Sequence, residues 1–245
     1  MTTRSLTLFF PVYNEVESIR PMTEKALRVL GAVYSDYEIL IIDDGSSDGS
    51  QTIADELAAQ YPQVRVIHHD GNKGYGQALR TGFMKASKDI VAYTDCDEPA
   101  DLKLFVDAMT HIETHDMVIG YRLNRWEGVR RFAYSKIYNT LVRVLFGVRV
   151  RDINFSFKLI RREALRKLHL EAGSVFIDGE LLAEAARHRL TIFQMPVNYQ
   201  PRKFGTSHFN SVRAATYTFQ EILAYHQRRR VDIRTERRFA QKIAH

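Results

Sequence analysis

The sequence predicts an α/β fold, a mainly parallel sheet flanked by helices. Three observations predict it. Short apolar runs alternate with segments of helical period through the first half of the chain. Polar clusters at residues 13–15, 43–50, 70–76 and 95–97 each follow one of those runs, the place where parallel sheets gather their ligands. The 245 residues are 45% hydrophobic and 26% charged, an ordinary soluble composition with enough apolar material for one large α/β domain or two small ones.

The elements follow in order. Residues 6–10 read as a strand, and 16–30 as a helix with Ile19, Leu27 and Leu30 among its apolar positions. Residues 37–42 form a second buried-type strand, closed by Asp43-Asp44-Gly45-Ser46-Ser47-Asp48-Gly49-Ser50, and helix resumes over 51–60. Capping there falls to Ser46, Ser47 or Asp48. A strand at 64–68 ends in His68-His69, read as loop. A helix at 73–86 is entered through Asn72-Lys73-Gly74-Tyr75-Gly76; strand 89–94, helix 101–112 and strand 116–120 complete the alternation. Beyond it lie two amphipathic stripes, Tyr134/Ile137/Tyr138/Leu141/Leu145 and Val212/Ala215/Phe219/Ile222/Leu223. Each suits core packing or, with its basic neighbours, docking on an anionic membrane. Residues 1–210 read as the main domain and 211–245 as a basic C-terminal amphipathic helix and tail.

The net charge of +6 is uneven: residues 121–170 hold thirteen Lys/Arg against three acids, and the tail carries Arg228-Arg229-Arg230. Such a segment suggests a face for phosphates, anionic lipid or nucleic acid. No RNP1-type aromatic signature and no zinc-finger spacing supports nucleic acid. Cys96 is the sole cysteine, so no internal disulfide forms and a reducing compartment is expected. The apolar run after Met1-Thr2-Thr3-Arg4 is broken by Pro11 and lacks the pattern of a secretory leader. No stretch reaches the ~18 apolar residues of a membrane span.

Asp95-Cys96-Asp97 carries the sharpest chemistry. It follows the apolar run Ile90-Val91-Ala92-Tyr93, and alternate side chains of an extended segment share a face. Two carboxylates on one face suit Mg²⁺ or Mn²⁺, and equally a solvated acidic loop. Asp44 can accept hydrogen bonds from a nucleobase, Tyr13 can stack on one, and Gly74 opens a helix N-terminus that favours anions. His111 and His115, four residues apart, have a zinc-compatible spacing but no third ligand nearby. Cys96 between two acids is no nucleophile.

Taken as a set, Pro11-Val12-Tyr13-Asn14-Glu15, Ile42-Asp43-Asp44-Gly45-Ser46-Ser47-Asp48, Asn72-Lys73-Gly74 and Asp95-Cys96-Asp97 resemble the inverting family 2 glycosyltransferases of GT-A, Rossmann-like fold. Val118-Ile119-Gly120-Tyr121-Arg122, Arg130-Arg131 with Ser135, Asp152-Ile153-Asn154-Phe155-Ser156-Phe157-Lys158 and Arg202-Lys203-Phe204-Gly205-Thr206-Ser207-His208 are similar to the dolichol-phosphate mannose synthase and polyprenyl-phosphate branch. The resemblance runs to about residue 210. It implies that Pro11, Tyr13, Glu15, Ile42 and Asp44 hold the nucleoside of a GDP- or UDP-sugar. It implies further that Asp95 and Cys96 border the donor and that Asp97 is the principal ligand of Mg²⁺ or Mn²⁺. Arg122 and Arg202 would contact the diphosphate or the acceptor phosphate, and Arg131 and Ser135 the phosphate of a polyprenyl acceptor. Two departures stand out. Glu98-Pro99 follows Asp97 directly, so Glu98 stands in for a usual Gln beside the metal, and His208 replaces a usual Lys in the donor site.

The implied reaction is direct displacement with inversion, moving one mannose- or glucose-type sugar to polyprenyl phosphate on the cytoplasmic face of the membrane by a peripherally bound enzyme. A phosphate acceptor is already anionic and needs no base. A saccharide or other hydroxyl acceptor is the alternative; it requires a carboxylate base, for which Asp152, Asp178 and Glu180 are the candidates.

Overall fold

The computed structural model describes residues 4–97, 100–124, 129–200 and 212–243. Apolar runs become β1 (Leu6–Val12), β2 (Tyr37–Asp43), β3 (Val64–His68), β4 (Ile90–Tyr93) and β5 (Met117–Arg122). Between them lie α1 (Ile19–Gly31), α2 (Ser50–Gln60), α3 (Tyr75–Lys85) and α4 (Lys103–Ile112). The rest of the chain adds α5 (Val129–Phe146), β6 (Lys158–Arg161), α6 (Arg162–Leu165), α7 (Ile177–Arg187), β7 (Ile192–Val197) and α8 (Val212–Ile243). The alternation expected for the first half therefore stands. Periodicity had assigned no strand after residue 120, because β6 is four residues long with a buried lysine and β7 is a half-exposed strand interrupted by Pro196.

The strands form one seven-stranded sheet in the order β3-β2-β1-β4-β6-β5-β7. Only β6 runs antiparallel to its neighbours. Alternate side chains feed two cores. Leu8, Phe10, Ile39, Ile41, Ile90 and Ala92 pack with α1, α2 and α4; Phe9, Leu40, Ile42, Val91, Tyr93 and Ile119 pack with α3, α5, α7 and α8. Strands buried on both faces explain the continuous apolar runs. Pro11 sits in central β1 without breaking a ladder, since pairing with β4 stops at Phe9.

The chain runs outward from β1 to β2 and β3, then returns to place β4 on the other side of β1. The crevice at such a reversal is where ligands bind in open α/β sheets. The loops after β1 and β4 flank it.

Two charged groups of the interior deserve physical accounts. Lys158 is fully buried; its Nζ donates to Asp178 Oδ1 (2.8 Å), Tyr93 Oη (2.9 Å) and the Phe155 carbonyl (2.7 Å). All three ammonium hydrogens are thus used, and Tyr93 in turn donates to Asp178. His68, at the end of β3, lies between Asp43 Oδ2 (2.8 Å from Nδ1) and Asp55 Oδ1 (3.1 Å from Nε2). Partial burial lowers its pKa, but hydrogen bonds to both carboxylates and their charges outweigh this and raise it above 6.5. His68-His69 is therefore a tether between strand ends rather than a free loop.

Lys158→Met should destabilise the fold by about 3–5 kcal/mol, because it leaves the Asp178 charge buried without its cation. Urea denaturation measures this, and Lys158→Met with Asp178→Leu should recover much of the loss. His68 binds its proton more tightly folded than unfolded, so its contribution is complete below pH 6.5 and fades as pH rises through the raised folded value. The melting-temperature advantage of wild type over His68→Gln should shrink between pH 6 and pH 8; an advantage that grows over that range contradicts the tether.

Candidate active site

The site is assembled from the carboxyl ends of β1, β2 and β4. After β1, Asn14 adopts a left-handed conformation (φ 56°) and laces its loop to the one after β2. Its N–H donates to Ser46 Oγ, its Oδ1 accepts from the Ser47 N–H, and the N–H groups of Glu15 and Val16 donate to Ser50 Oγ and Asp48 Oδ2. Asp48 also takes the Ser50 N–H at the start of α2. The serines and Asp48 thus serve as turn and cap residues and at the same time fix Tyr13 and Glu15 beside the crevice.

Asp43 and Asp44 divide their work. Asp43 accepts from the Ser46 N–H (3.1 Å) and pairs with His68. Asp44 is buried; Oδ1 accepts from the Lys73 N–H (2.9 Å) and lies 2.6 Å from His69 Nδ1, and Oδ2 accepts from the Gly74 N–H (2.8 Å). His69 is itself buried, with Nε2 2.9 Å from Thr81 Oγ1 of α3. Asp44 therefore gathers the glycine turn at the mouth of α3, and its Oδ2 keeps capacity for a ligand donor. Ile42 stands between the strand ends with its side chain in the core beside α3.

The turn allows very close approach. A Cβ on Gly76 would lie 2.5 Å from the Gly173 carbonyl carbon, and the Gly76 N–H donates to the Gly173 oxygen (3.0 Å). This contact sets the start of α3, and with it Tyr75.

Tyr75 Oη donates to Asp95 Oδ1 (3.0 Å), and Ser156 Oγ donates to Asp95 Oδ2 (2.7 Å). Burial first, and then the neighbouring negative charge of Asp97, push the Asp95 carboxyl up to about 7 against the pull of these two donors. Burial and the Asp95 charge hold Tyr75 far above the ordinary phenol range, so it stays a donor. Asp97 Oδ1 is shielded from solvent, while Cys96 between the two acids turns into the core on the α4 side. Two hard-oxygen carboxylates crowded in a half-buried pocket fit a divalent cation, whose charge would relieve their repulsion. Among the described residues no cluster of three or more His, Cys, Asp or Glu side chains forms a complete ligand set. Glu98, the third expected ligand, lies outside the described residues, as do Arg202 and His208.

Arg122, at the end of β5, donates from Nε to Asp152 Oδ2 (2.8 Å) and from Nη2 to Asp152 Oδ1 (3.1 Å). It lies between the rings of Phe155 and Tyr199. Ser135 on α5 accepts from Asn139 Nδ2 (3.3 Å), and Asn139 Oδ1 takes the Ile153 N–H (3.0 Å). The side chain of Arg131 on the same helix lies outside the described residues. The 152–156 segment therefore serves Arg122, α5 and Asp95 together. Sequence reading had marked this motif without its two working contacts, Asp152 to Arg122 and Ser156 to Asp95; Tyr75 was visible only as part of a glycine turn.

The basic 121–170 segment is not one free face. Arg143 and Arg161 donate to backbone carbonyls, as does Arg162, and Lys158 is in the core. The amphipathic stripes divide likewise. Tyr138, Leu141 and Leu145 of α5 pack against the core, as does Ile222 of α8. Ile137 (66% exposed), Val144 (76%), Tyr217, Phe219 and Leu223 face outward. His111 stacks on Phe193 at 3.7 Å, which accounts for it without zinc.

The family described as Glycosyl transferase family 2 matches residues 7–169. The chain is 30% identical over 239 residues to polyprenol monophosphomannose synthase from Mycolicibacterium smegmatis, covering 90% of this chain and 87% of that relative. It is 31% identical over 216 residues to undecaprenyl-phosphate 4-deoxy-4-formamido-L-arabinose transferase from Pectobacterium carotovorum, covering 86% of this chain and 64% of that longer protein. In structure it is similar to glucosyl-3-phosphoglycerate synthase from Mycobacterium tuberculosis bound to Mn²⁺, UDP and glucosyl-3-phosphoglycerate. That likeness has a TM-score of 0.63 at 21% identity and covers 83% of this chain and 74% of the other; it is one of fold. The loops after β1, β2 and β4 all fall within the matched span, and the chain belongs to glycosyl transferase family 2.

Proposed function

We propose that the protein transfers a single sugar, with inversion, from a GDP- or UDP-linked donor to polyprenyl phosphate, working peripherally at the cytoplasmic face of a membrane. The observation that carries the reading is Asp95 and Asp97 crowded at the end of β4, with Tyr75 and Ser156 fixing the first of them. The names of two relatives, a polyprenol monophosphomannose synthase and an undecaprenyl-phosphate sugar transferase, support the lipid phosphate acceptor.

Asp97 and Asp95, with Glu98, are the residues that would hold Mg²⁺ or Mn²⁺. When bound, such an ion supplies Lewis-acid stabilisation of the charge that builds on the departing nucleoside diphosphate. Pro11, Tyr13, Glu15 and the free side of Asp44 would seat the nucleoside. Arg131 and Ser135 would receive the acceptor phosphate, with Arg122, Arg202 and His208 serving the diphosphate. The carboxylates that a hydroxyl acceptor would recruit are already committed, Asp152 to Arg122, Asp178 to Lys158, and Glu180 to the Glu171 and Ala172 N–H groups. That commitment favours an acceptor that arrives deprotonated. The outward apolar residues of α5 and α8 favour membrane contact; among the described residues no helix is long and apolar enough to cross a membrane.

Folded enzyme given Mg²⁺ or Mn²⁺, polyprenyl phosphate and a panel of GDP- and UDP-sugars should yield a glycolipid; no product with any donor overturns the reading. Asp97→Asn should lower kcat by about 10²-fold or more, the scale of losing one pre-organised charge contact. Arg131→Ala should abolish transfer to the lipid phosphate, whereas a hydroxyl-transferring enzyme would tolerate it. In flotation with anionic liposomes at low salt the protein should rise with the vesicles, and Phe219→Ser with Leu223→Ser should leave it behind.

A further inference from the structure

Helix α8 begins beyond the matched family span, yet one of its side chains reaches the loop that shapes the candidate site. Glu221 turns inward. Its Oε1 accepts from the Gly173 N–H (2.7 Å) and its Oε2 from the Ser174 N–H (3.1 Å). Tyr217, one turn earlier on α8, also hydrogen-bonds to it. The same loop is gripped by Glu180 through the Glu171 and Ala172 N–H groups, and by Arg228 of α8, which pairs with Glu171 and Glu180. From its other side α3 closes on it: Gly76 meets Gly173 backbone to backbone, and Arg80 donates to the Glu171 carbonyl (3.1 Å). A loop fixed by charged acceptors behind and by two glycines in front transmits position, because backbone in contact with backbone has no side chain to yield.

We propose that Glu221 is a positioning residue for the carboxylate pair. It holds residues 173–174 against the glycine turn, the turn fixes the start of α3, and Tyr75 in that first turn is thereby aimed at Asp95. The first half of α8 is accordingly a strut of the donor pocket. Its outward side presents Phe219 and Leu223, exposed at 50 and 42%, so the helix that would rest on the lipid surface also sets the acid that would face the donor. The inference rests on the reading of Asp95 and Asp97 as the cation and donor site.

The test is calorimetric titration of the full-length protein with Mn²⁺ plus UDP and, in parallel, Mn²⁺ plus GDP, without lipid. Glu221→Gln should weaken nucleotide binding about tenfold, the weight of one hydrogen bond to a charged group. Tyr225→Phe, which loses the bond from the same helix to Glu184 (2.7 Å), controls for destabilisation of α8 and should bind as wild type. Tyr75→Phe should reproduce the Glu221→Gln defect, and the double variant should be no worse than Tyr75→Phe alone, since both changes cut one chain of contacts. Additive losses, or unchanged binding in Glu221→Gln, overturn the strut. Should Glu221→Gln fail to fold, Tyr217→Phe removes only the phenolic bond to Glu221 and should give a smaller loss that is likewise absorbed by Tyr75→Phe; an additive loss there overturns it equally. Wild-type protein that binds neither nucleotide with Mn²⁺ refutes instead the donor-site reading beneath it.

Discussion

The repulsion between Asp95 and Asp97 is the constraint around which the site is organised. Two acids one residue apart at the end of a buried strand are unfavourable together, and burial makes them more so. The fold tolerates them by giving Asp95 two hydroxyl donors from different parts of the chain, Tyr75 of α3 and Ser156 before β6. Neither donor carries charge, so the pocket retains its negative potential for a cation. An arginine in either place would stabilise the apo site and compete with the metal.

The neighbouring loops follow the same economy. Asp43 and Asp44 are each tied to a histidine from the end of β3, and Asp44 also collects two N–H groups of the glycine turn. Backbone donors and imidazoles consume most of its acceptor capacity. What remains is a fixed oxygen at the crevice, pre-oriented by three partners, and orientation of that kind lowers the ordering cost of binding. Rigid loops around a vacant charge also explain why so many serines cluster at 46–50: they terminate backbone groups that the left-handed turn at Asn14 would otherwise leave exposed.

The first five strands were legible because each is an apolar run bounded by polar loops, and the carboxyl-edge rule then placed 13–15, 43–50, 70–76 and 95–97 together without further information. Lys158 was illegible: a lysine inside a strand reads as solvent-facing, and only Tyr93 and Asp178, 65 and 20 residues away, make its burial tolerable. Ser156 and Glu221 were hidden for a related reason. Their roles are contacts across 61 and 48 residues of sequence, and no local spacing encodes such pairs. The charge count of 121–170 misled in the opposite direction. It sees thirteen positive residues but not that several end on carbonyls of neighbouring loops, where an arginine fork fills backbone acceptors rather than attracting a ligand.

The distribution of acids bears on the chemistry of the acceptor. A general base must have a free lone pair aimed at the reacting hydroxyl. Asp152 offers its two oxygens to the Arg122 guanidinium, and freeing it would strand a buried arginine between two aromatic rings. Asp178 is held by an ammonium and a phenol in the core. Glu180, pushed up to about 7 chiefly by burial, spends one oxygen on two backbone N–H groups and faces Arg228 with the other. Recruiting any of them to deprotonate an alcohol would cost a structural contact worth more than a surface ion pair. An acceptor phosphate asks for no such sacrifice: its oxygen is anionic on arrival, and the chain has only to bring it opposite the departing diphosphate.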